Sequence, residues 1–304
     1  MAIYKNAFLI YNPGARGLSG WRIQAVDRAV SVLRGAGHTV TAIPTDGPGA
    51  GARTAASCLA LGADLILVAG GDGAINEVAN GMIGSEVPLG VLSAGTANVL
   101  ATELRLAGPL AAVAAQVEHW VPRRIAVGRL DAASHPPRYF LLMAGVGLDA
   151  HAVLQVDPQL KRFQGKLAYW LAAFGELGRT LEEFDVLVEN QRFRSSFALA
   201  SRVRNYGATL ELTPQAGLMR DDFAVALFEG SNPFRYLEYF AGAVLNRLDR
   251  TRGVTLLHAR SVAFESLTDA PVYVQVDGEP AATLPARIEL VPAALTLLCP
   301  PEFG

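Results

Sequence analysis

Two short stretches of this sequence set carboxylates beside glycines, and both could do chemistry. The first is LVAGGDGAINEVANG, Leu67 to Gly81. Glycines after an apolar run bring backbone close to a ligand, and the N–H groups of Gly71, Gly73 and Ala74 at a helix start could cradle phosphate oxygens. Asp72 stands in the middle of that approach and would repel a phosphate chain unless a cation lay between them. Either Mg²⁺ bridges carboxylate and phosphate, or Asp72 caps the helix that follows. The spacing is neither G-x-x-x-x-G-K-[ST] nor G-x-G-x-x-G, so neither common phosphate-loop pattern applies. The second stretch is VYVQVDGEP, which sets Asp277 and Glu279 at a strand end. Residues two apart in a strand point to one side, which would pair the carboxylates. Gly278 between them also permits an Asp-Gly hairpin turn with a solvated glutamate.

The elements that must position these groups change rhythm along the chain. AFLIYNP (Ala7 to Pro13), TVTAIPT (Thr39 to Thr45), DLILVAG (Asp64 to Gly70) and PLGVLSAG (Pro88 to Gly95) are strand-like. They alternate with helical patterns: Ile23, Val26, Val30 and Leu33, then Ala50 to Leu61, then the run from Ile75. Such alternation predicts βαβ units and a parallel sheet covered on both faces. Ligands then sit at the carboxyl ends of the strands, where Asn12-Pro13-Gly14, Gly70 to Gly73, and Gly95 to Asn98 fall together. Three such loops at one edge resemble a nucleotide site.

Beyond Trp120 the strand-like runs RRIAVGRL, RYFLLMAGVGL, FDVLVENQRF, SSFALASRV, FAVALFEG, VTLLHARSVAFE and VYVQVDG predict an antiparallel sandwich. Helical stretches interrupt it near Gln159 to Leu181 and Pro233 to Leu248, and SHPPR (Ser134 to Arg138) reads as a long loop. The boundary is placed at residues 121 and 122.

The 304 residues are 51% hydrophobic and 18% charged with a net charge of −2, which excludes disorder and a broad nucleic-acid face. Cys58 and Cys299 have no metal-type spacing and read as small buried hydrophobes in a reducing cytosol. No apolar run is long enough to span a bilayer. The expected location is cytoplasmic.

Taken in order, these blocks resemble the diacylglycerol kinase catalytic-domain family, which includes bacterial lipid kinases and the sphingosine and ceramide kinases. GGDGAINEVANGM is similar to its GGDGT signature, IYNPGARG to its opening Asn-Pro loop, and PLGVLSAGTANVLA to its P-x-GT-x-N block. FLLMAGVGLDA resembles the opening of its second domain, and VYVQVDGEP its late DGE motif. The resemblance implies an N-terminal Rossmann-like domain, residues 1–121 completed by 291–304, and a β-sandwich lipid-substrate domain, residues 122–290. A nucleotide would lie in the cleft between them. ATP would contact Asn12, Thr45, Gly70, Gly71, Asp72, Gly73, Ala74, Ile75, Asn76, Gly95 and Thr96. Glu279 would act as general base, Asp277 as helper or metal contact, and Asp72 would meet Mg²⁺. Asn98 is expected to fix its own loop through side-chain to backbone bonds.

Three departures stand out. Ala74 replaces the GGDGT threonine, Val99 replaces an aspartate, and LTPQAGLMRDDFAVALF sets Arg220 where the family has an aspartate that helps bind a structural magnesium. An arginine could replace the cation's charge, or a one-residue slip could let Asp221 serve as a metal ligand.

The expected function is an ATP- and Mg²⁺-dependent kinase acting on a hydroxyl of diacylglycerol or a related lipid, peripheral to the inner face of the membrane, with a homodimer left open. Lys161, Arg162 and Lys166 beside Phe163, Tyr169, Trp170 and Phe174 could lie at a lipid interface, or the same helix could cover the sandwich. A non-catalytic nucleotide- or lipid-binding regulator and a soluble kinase like the NAD kinases are the alternatives.

Overall fold

The computed structural model describes residues 3–18, 20–133, 135–148, 150, 181–206, 210–232 and 234–303. Residues 159–180 of the helix expected over 159–181, with the basic and aromatic residues assigned to it, lie outside the described residues. The chain divides into two compact units, Met1–Val127 with Pro292–Gly304, and Gly128–Val291.

In the first unit the elements run β1 (Ala7–Tyr11), α1 (Gln24–Gly35), β2 (Val40–Pro44), α2 (Ala50–Ala60), β3 (Leu65–Gly70), α3 (Asp72–Asn80), β4 (Leu89–Ser93), α4 (Val99–Glu103), α5 (Leu110–Ala114) and β5 (Val121–Ala132). β1 pairs in parallel with β2 and β3, and β3 with β4. The last strand of the chain, Ala286–Cys299, returns beside β4, where Leu297 pairs in parallel with Leu89. β3 is LILVAG with every residue buried, the continuous apolar run of a central strand covered on both faces. α1 turns one face inward through Val26, Ala29, Val30 and Leu33. The expected boundary at residue 121 is the first residue of β5, and the units divide inside that strand. The switch from helical to strand rhythm marks where β5 starts, not where its partners change.

The second unit holds β6 (His135–Phe140), β7 (Met143–Gly147), β8 (Phe184–Val188), β9 (Gln191–Ser195), β10 (Phe197–Ser201), β11 (Asn205–Tyr206), β12 (Leu210–Glu211), β13 (Phe223–Phe228), α6 (Arg235–Val244), β14 (Val254–Ala259), β15 (Ser261–Ser266), β16 (Tyr273–Val276), β17 (Glu279–Thr283) and the start of β18 (Ala286–Cys299). One antiparallel sheet has the order β14-β13-β10-β7-β16-β17, and a second set pairs β18, β15, β8 and β9. Phe140, Phe184, Phe223, Phe264, Val225 and Ile288 fill the core between them. Each such side chain contributes about 1.5–3 kcal/mol when fully buried.

SHPPR is not a loop. His135 to Arg138 belong to β6, which pairs antiparallel with β5 through Leu130↔Arg138 and Gly128↔Phe140. Two prolines suggested irregular chain, yet β6 pairs on one side only, and proline is tolerated on such an edge because no ladder donor is required there. Gly128 is required opposite Phe140, whose ring carbons come within 2.1 Å of where a Cβ would stand.

Candidate functional site

In the first unit the loops after β1, β3 and β4 are knitted together by main-chain bonds. Asn12 N–H donates to Ala69 O (3.1 Å), Ala94 N–H to Gly70 O (2.8 Å), and Gly17 N–H to Ala94 O (2.9 Å). Gly71 and Gly95 face each other so closely that a Cβ on Gly95 would lie 2.4 Å from Gly71 Cα. Glycine is required at 95, whereas a Cβ on Gly71 would stand 3.2 Å from Gly95 Cα, a tight contact. Gly70 closes the other side, where a Cβ would meet Ala74 Cβ at 2.8 Å.

Gly71 is extended (φ −89°, ψ 179°), and α3 begins at Asp72. The first intrahelical bond from this end is Ile75 N–H to Gly71 O (3.1 Å). The N–H groups of Asp72, Gly73 and Ala74 therefore form the helix's first turn, the part that binds anions in proteins generally. Ile75 and Asn76, expected among the nucleotide contacts, are buried. Ile75 fills the core, and Asn76 Oδ1 accepts from Asn80 Nδ2 (2.9 Å). The candidate loop thus shortens to Gly70–Ala74, because one helical turn carries the next residues inward. Asn12 Oδ1 accepts from Gly14 N–H (2.8 Å), and Thr45 N–H donates to Tyr11 O (2.8 Å), which places both at the carboxyl ends of β1 and β2. Thr96 is exposed beside half-buried Gly95.

Asp72 does cap a helix, though not its own. Oδ2 accepts from Val99 N–H (3.0 Å) and Oδ1 from Leu100 N–H (3.2 Å), the first turn of α4. Burial pushes its carboxyl above the usual 3.8, against the N–H groups of Val99, Leu100, Asp72 and Asn98 that pull it down. Glu77, one turn on, does the same for α2, accepting from Gly49 N–H (2.8 Å) and Gly51 N–H (3.0 Å). Neither α2 nor α4 has a capping side chain of its own, so α3 satisfies both from outside. Asn98, in the left-handed region (φ 49°), fixes its loop as expected: Oδ1 accepts from Gly95 N–H (2.9 Å) and Nδ2 donates to Gly95 O (3.2 Å).

In the second unit Asp277 and Gly278 form the two-residue turn between β16 and β17, both at positive φ (49° and 81°). The same-side pairing of Asp277 with Glu279 along a strand is thereby excluded, because the turn reverses the chain between them. Asp277 Oδ1 accepts from Leu142 and Met143 N–H (2.9 Å each), and Oδ2 from Leu141 N–H (2.9 Å). Its carboxylate locks the β6–β7 corner. Glu279 is 44% exposed and pairs with Arg138 of β6, whose other terminal nitrogen reaches Pro280 O (3.3 Å). Arg138 gave no sign of this in the sequence, standing 141 residues from its partner.

Two family models match the chain. The diacylglycerol kinase catalytic domain covers residues 6–130, and the YegS C-terminal NAD kinase beta sandwich-like domain covers residues 143–299. The chain belongs to the diacylglycerol kinase catalytic-domain family. A Mycobacterium tuberculosis protein named diacylglycerol kinase is 27% identical over 290 residues, with 92% of this chain and 91% of that protein aligned. A Xanthomonas euvesicatoria pv. vesicatoria protein named "Probable lipid kinase YegS-like" is 29% identical, covering 90% and 91%. A crystal structure described as a diacylglycerol kinase from Bacillus anthracis str. Sterne superposes with a TM-score of 0.77 at 21% identity, covering 99% of both chains. The family's kinase chemistry makes a phosphotransferase with an alcohol acceptor the class of this chain.

Against that family, the departures fall at definite places. Ala74 lies in the first turn of α3. Val99, where the family has an aspartate, is buried at the start of α4 and gives its N–H to Asp72. Arg220 points away from any cation role. Its Nε and one terminal nitrogen bond Asp222 (2.7 Å each), which holds the Asp222 carboxyl below the usual range. Asp221, the expected metal ligand, is exposed. Among the described residues no group of three or more His, Cys, Asp or Glu side chains could hold a metal ion, and no helix is long and apolar enough to cross a membrane.

Proposed function

We propose that this protein is an ATP- and Mg²⁺-dependent lipid kinase that transfers the γ-phosphoryl group to a hydroxyl of diacylglycerol or a related glycerolipid. One observation carries the proposal: the first turn of α3 begins between two glycine loops at the carboxyl edge of a parallel sheet, in a chain of a lipid kinase family. The N–H groups of Asp72, Gly73 and Ala74 receive the phosphates, with Gly95 and Thr96 on one side and Asn12 and Thr45 at the neighbouring strand ends. A Mg²⁺ ion, if bound with the nucleotide, would be held on the protein side by Asp72 and would supply neutralisation of phosphate charge. Asp72 is the carboxylate of this loop, and a charge raised in energy by burial is what a cation would relieve.

The acceptor hydroxyl oxygen attacks the γ-phosphorus, the bond to the departing ADP oxygen breaks, and the hydroxyl proton passes to the Glu279 carboxylate. Arg138 orients that carboxylate, and Asp277 holds the corner that carries the pair. General-base assistance of this kind contributes about 10²–10⁴-fold. Lipid is taken from a membrane surface to which the protein binds peripherally.

The test is transfer of label from ATP to diacylglycerol in mixed micelles with Mg²⁺, for wild type, Asp72→Ala and Glu279→Ala. Labelled lipid from the wild type and severe loss in both variants is the expected result. Nucleotide binding with no turnover on any lipid would leave a regulator, the reading that Ala74, Val99 and Arg220 favour. Label only in a water-soluble acceptor would favour a kinase of the NAD kinase type.

A further inference from the structure

The loop between β12 and β13, residues 212–222, is where the family resemblance implies a structural magnesium. Its carbonyl groups are already engaged. Arg202 follows β10, is fully buried, and sends one terminal nitrogen to Arg220 O (3.1 Å) and the other to Leu218 O. Arg260 Nε donates to Asp221 O (3.1 Å), so the carbonyls of Leu218, Arg220 and Asp221 all face guanidinium groups. The Asp222 carboxylate is bonded to Arg220 and lies 3.2 Å from His258 Nδ1.

Magnesium needs oxygen ligands at about 2.0–2.1 Å in octahedral array. Leu218 O and Arg220 O each keep a second lone pair, but an ion there would share its ligand with the Arg202 guanidinium and meet a like charge. The backbone that carries this head is anchored: Arg202 main-chain N–H donates to Leu142 O (2.8 Å), and Thr213 Oγ1 and Ser201 Oγ donate to Val203 O (2.9 and 2.7 Å). A structural magnesium therefore does not fit this loop.

We propose that Arg202 is the loop's internal cation, taking by covalent attachment the place that a bound divalent ion would hold. The positive charge sits under the loop rather than on it, which is why Arg220, the residue aligned with the missing aspartate, is free to turn outward to Asp222. Burial draws the Arg202 guanidinium down to about 10, opposed by Asp221 and Asp222, so it stays protonated at neutral pH. Its Nε is buried with no partner among the described residues, a cost accepted only where the other donors are well used. The consequence is a second unit whose integrity does not depend on divalent ions, leaving the nucleotide as the destination of magnesium. The inference stands whether or not the chain is a kinase.

The test uses the full chain without nucleotide. Crystals soaked in millimolar MnCl₂ are expected to show no anomalous density at Leu218 O, Arg220 O or Asp221, whatever binds elsewhere. A peak coordinated by those atoms overturns the proposal. In thermal unfolding, Arg202→Met is expected to lower Tm by roughly 10 °C and Arg202→Lys by clearly less, since a charge is retained. Equal losses in the two variants, or an Arg202→Met midpoint within about 2 °C of wild type, would also overturn it. Should Arg202→Met not fold, the manganese map of the wild type decides alone.

Discussion

Asp72-Gly73 and Asp277-Gly278 are two Asp-Gly pairs, each directly after a buried strand, yet one opens a helix and the other turns a hairpin. The sheets decide which. β3 is a parallel strand and must be followed by a crossover, so its Asp-Gly enters α3. β16 is antiparallel to β17, so its Asp-Gly reverses the chain in two residues. Both aspartates then use their carboxylates alike, on main-chain N–H groups of a segment far along the sequence: 27 and 28 residues on for Asp72, 134 to 136 residues back for Asp277. What distinguishes the two sites is the exposed acid. The hairpin sets Glu279 beside its locked aspartate, half exposed and held by Arg138, whereas the carboxylate next along α3, Glu77, is spent on capping α2. In the proposed reaction the hairpin supplies the group for proton transfer, and the helix supplies the N–H groups for phosphate.

The comparison breaks most sharply at Asp277. Asp277→Ala leaves three N–H groups without their acceptor and should cost the second unit roughly 3–5 kcal/mol in chemical denaturation, with loss of activity, while Asp277→Asn recovers part of the stability. Glu279→Gln should separate the two roles in the hairpin: kcat falls about 10²–10⁴-fold while the denaturation midpoint stays put. If both fall together, Glu279 belongs to the lock rather than the chemistry.

Asp72→Asn removes charge but keeps one acceptor oxygen, so transfer should fall more than stability. Its pH dependence carries a definite sign. Because the folded carboxyl lies above 3.8, the native state binds the proton more tightly, and wild type should lose stability relative to Asp72→Asn as pH rises from 3.8 through the raised value. Asp222, lowered by Arg220, gives the opposite slope: wild type should lose its advantage over Asp222→Asn as pH falls below 3.8. Denaturation midpoints across the acid range check both. Ala74→Thr should have the smallest effect, lowering KM for ATP by roughly tenfold or less through one added hydroxyl contact.

Much of this was legible in the residues. The unbroken apolar LILVAG declared a covered parallel strand, and alternation beyond Trp120 declared antiparallel sheets. The glycines of the loops after β3 and β4 read as backbone brought close to a ligand, whereas the approach of Gly95 to Gly71 appeared only in the fold. Asn98 was readable as a loop-fixing side chain because its partner lies three residues away. Long-range partners were not readable. Val99 N–H for Asp72, Arg138 for Glu279 and Leu218 O for Arg202 are set by how strands stack, and a donor 141 residues off leaves no periodicity. SHPPR shows the same limit, since its prolines mark an edge only once β5 is known to lie on one side.

By itself the sequence determined which residues can carry charge, turn sharply or fill a core, because these follow from side-chain chemistry and local backbone freedom. Tertiary structure alone decided what each charge faces. It set the Asp72 carboxylate on the first N–H groups of α4 rather than of the helix it opens, and it buried Arg202 under the loop while Arg220 turned outward to Asp222. Electrostatic roles depend on distance through space and on burial, and neither is written in the spacing of residues along a chain.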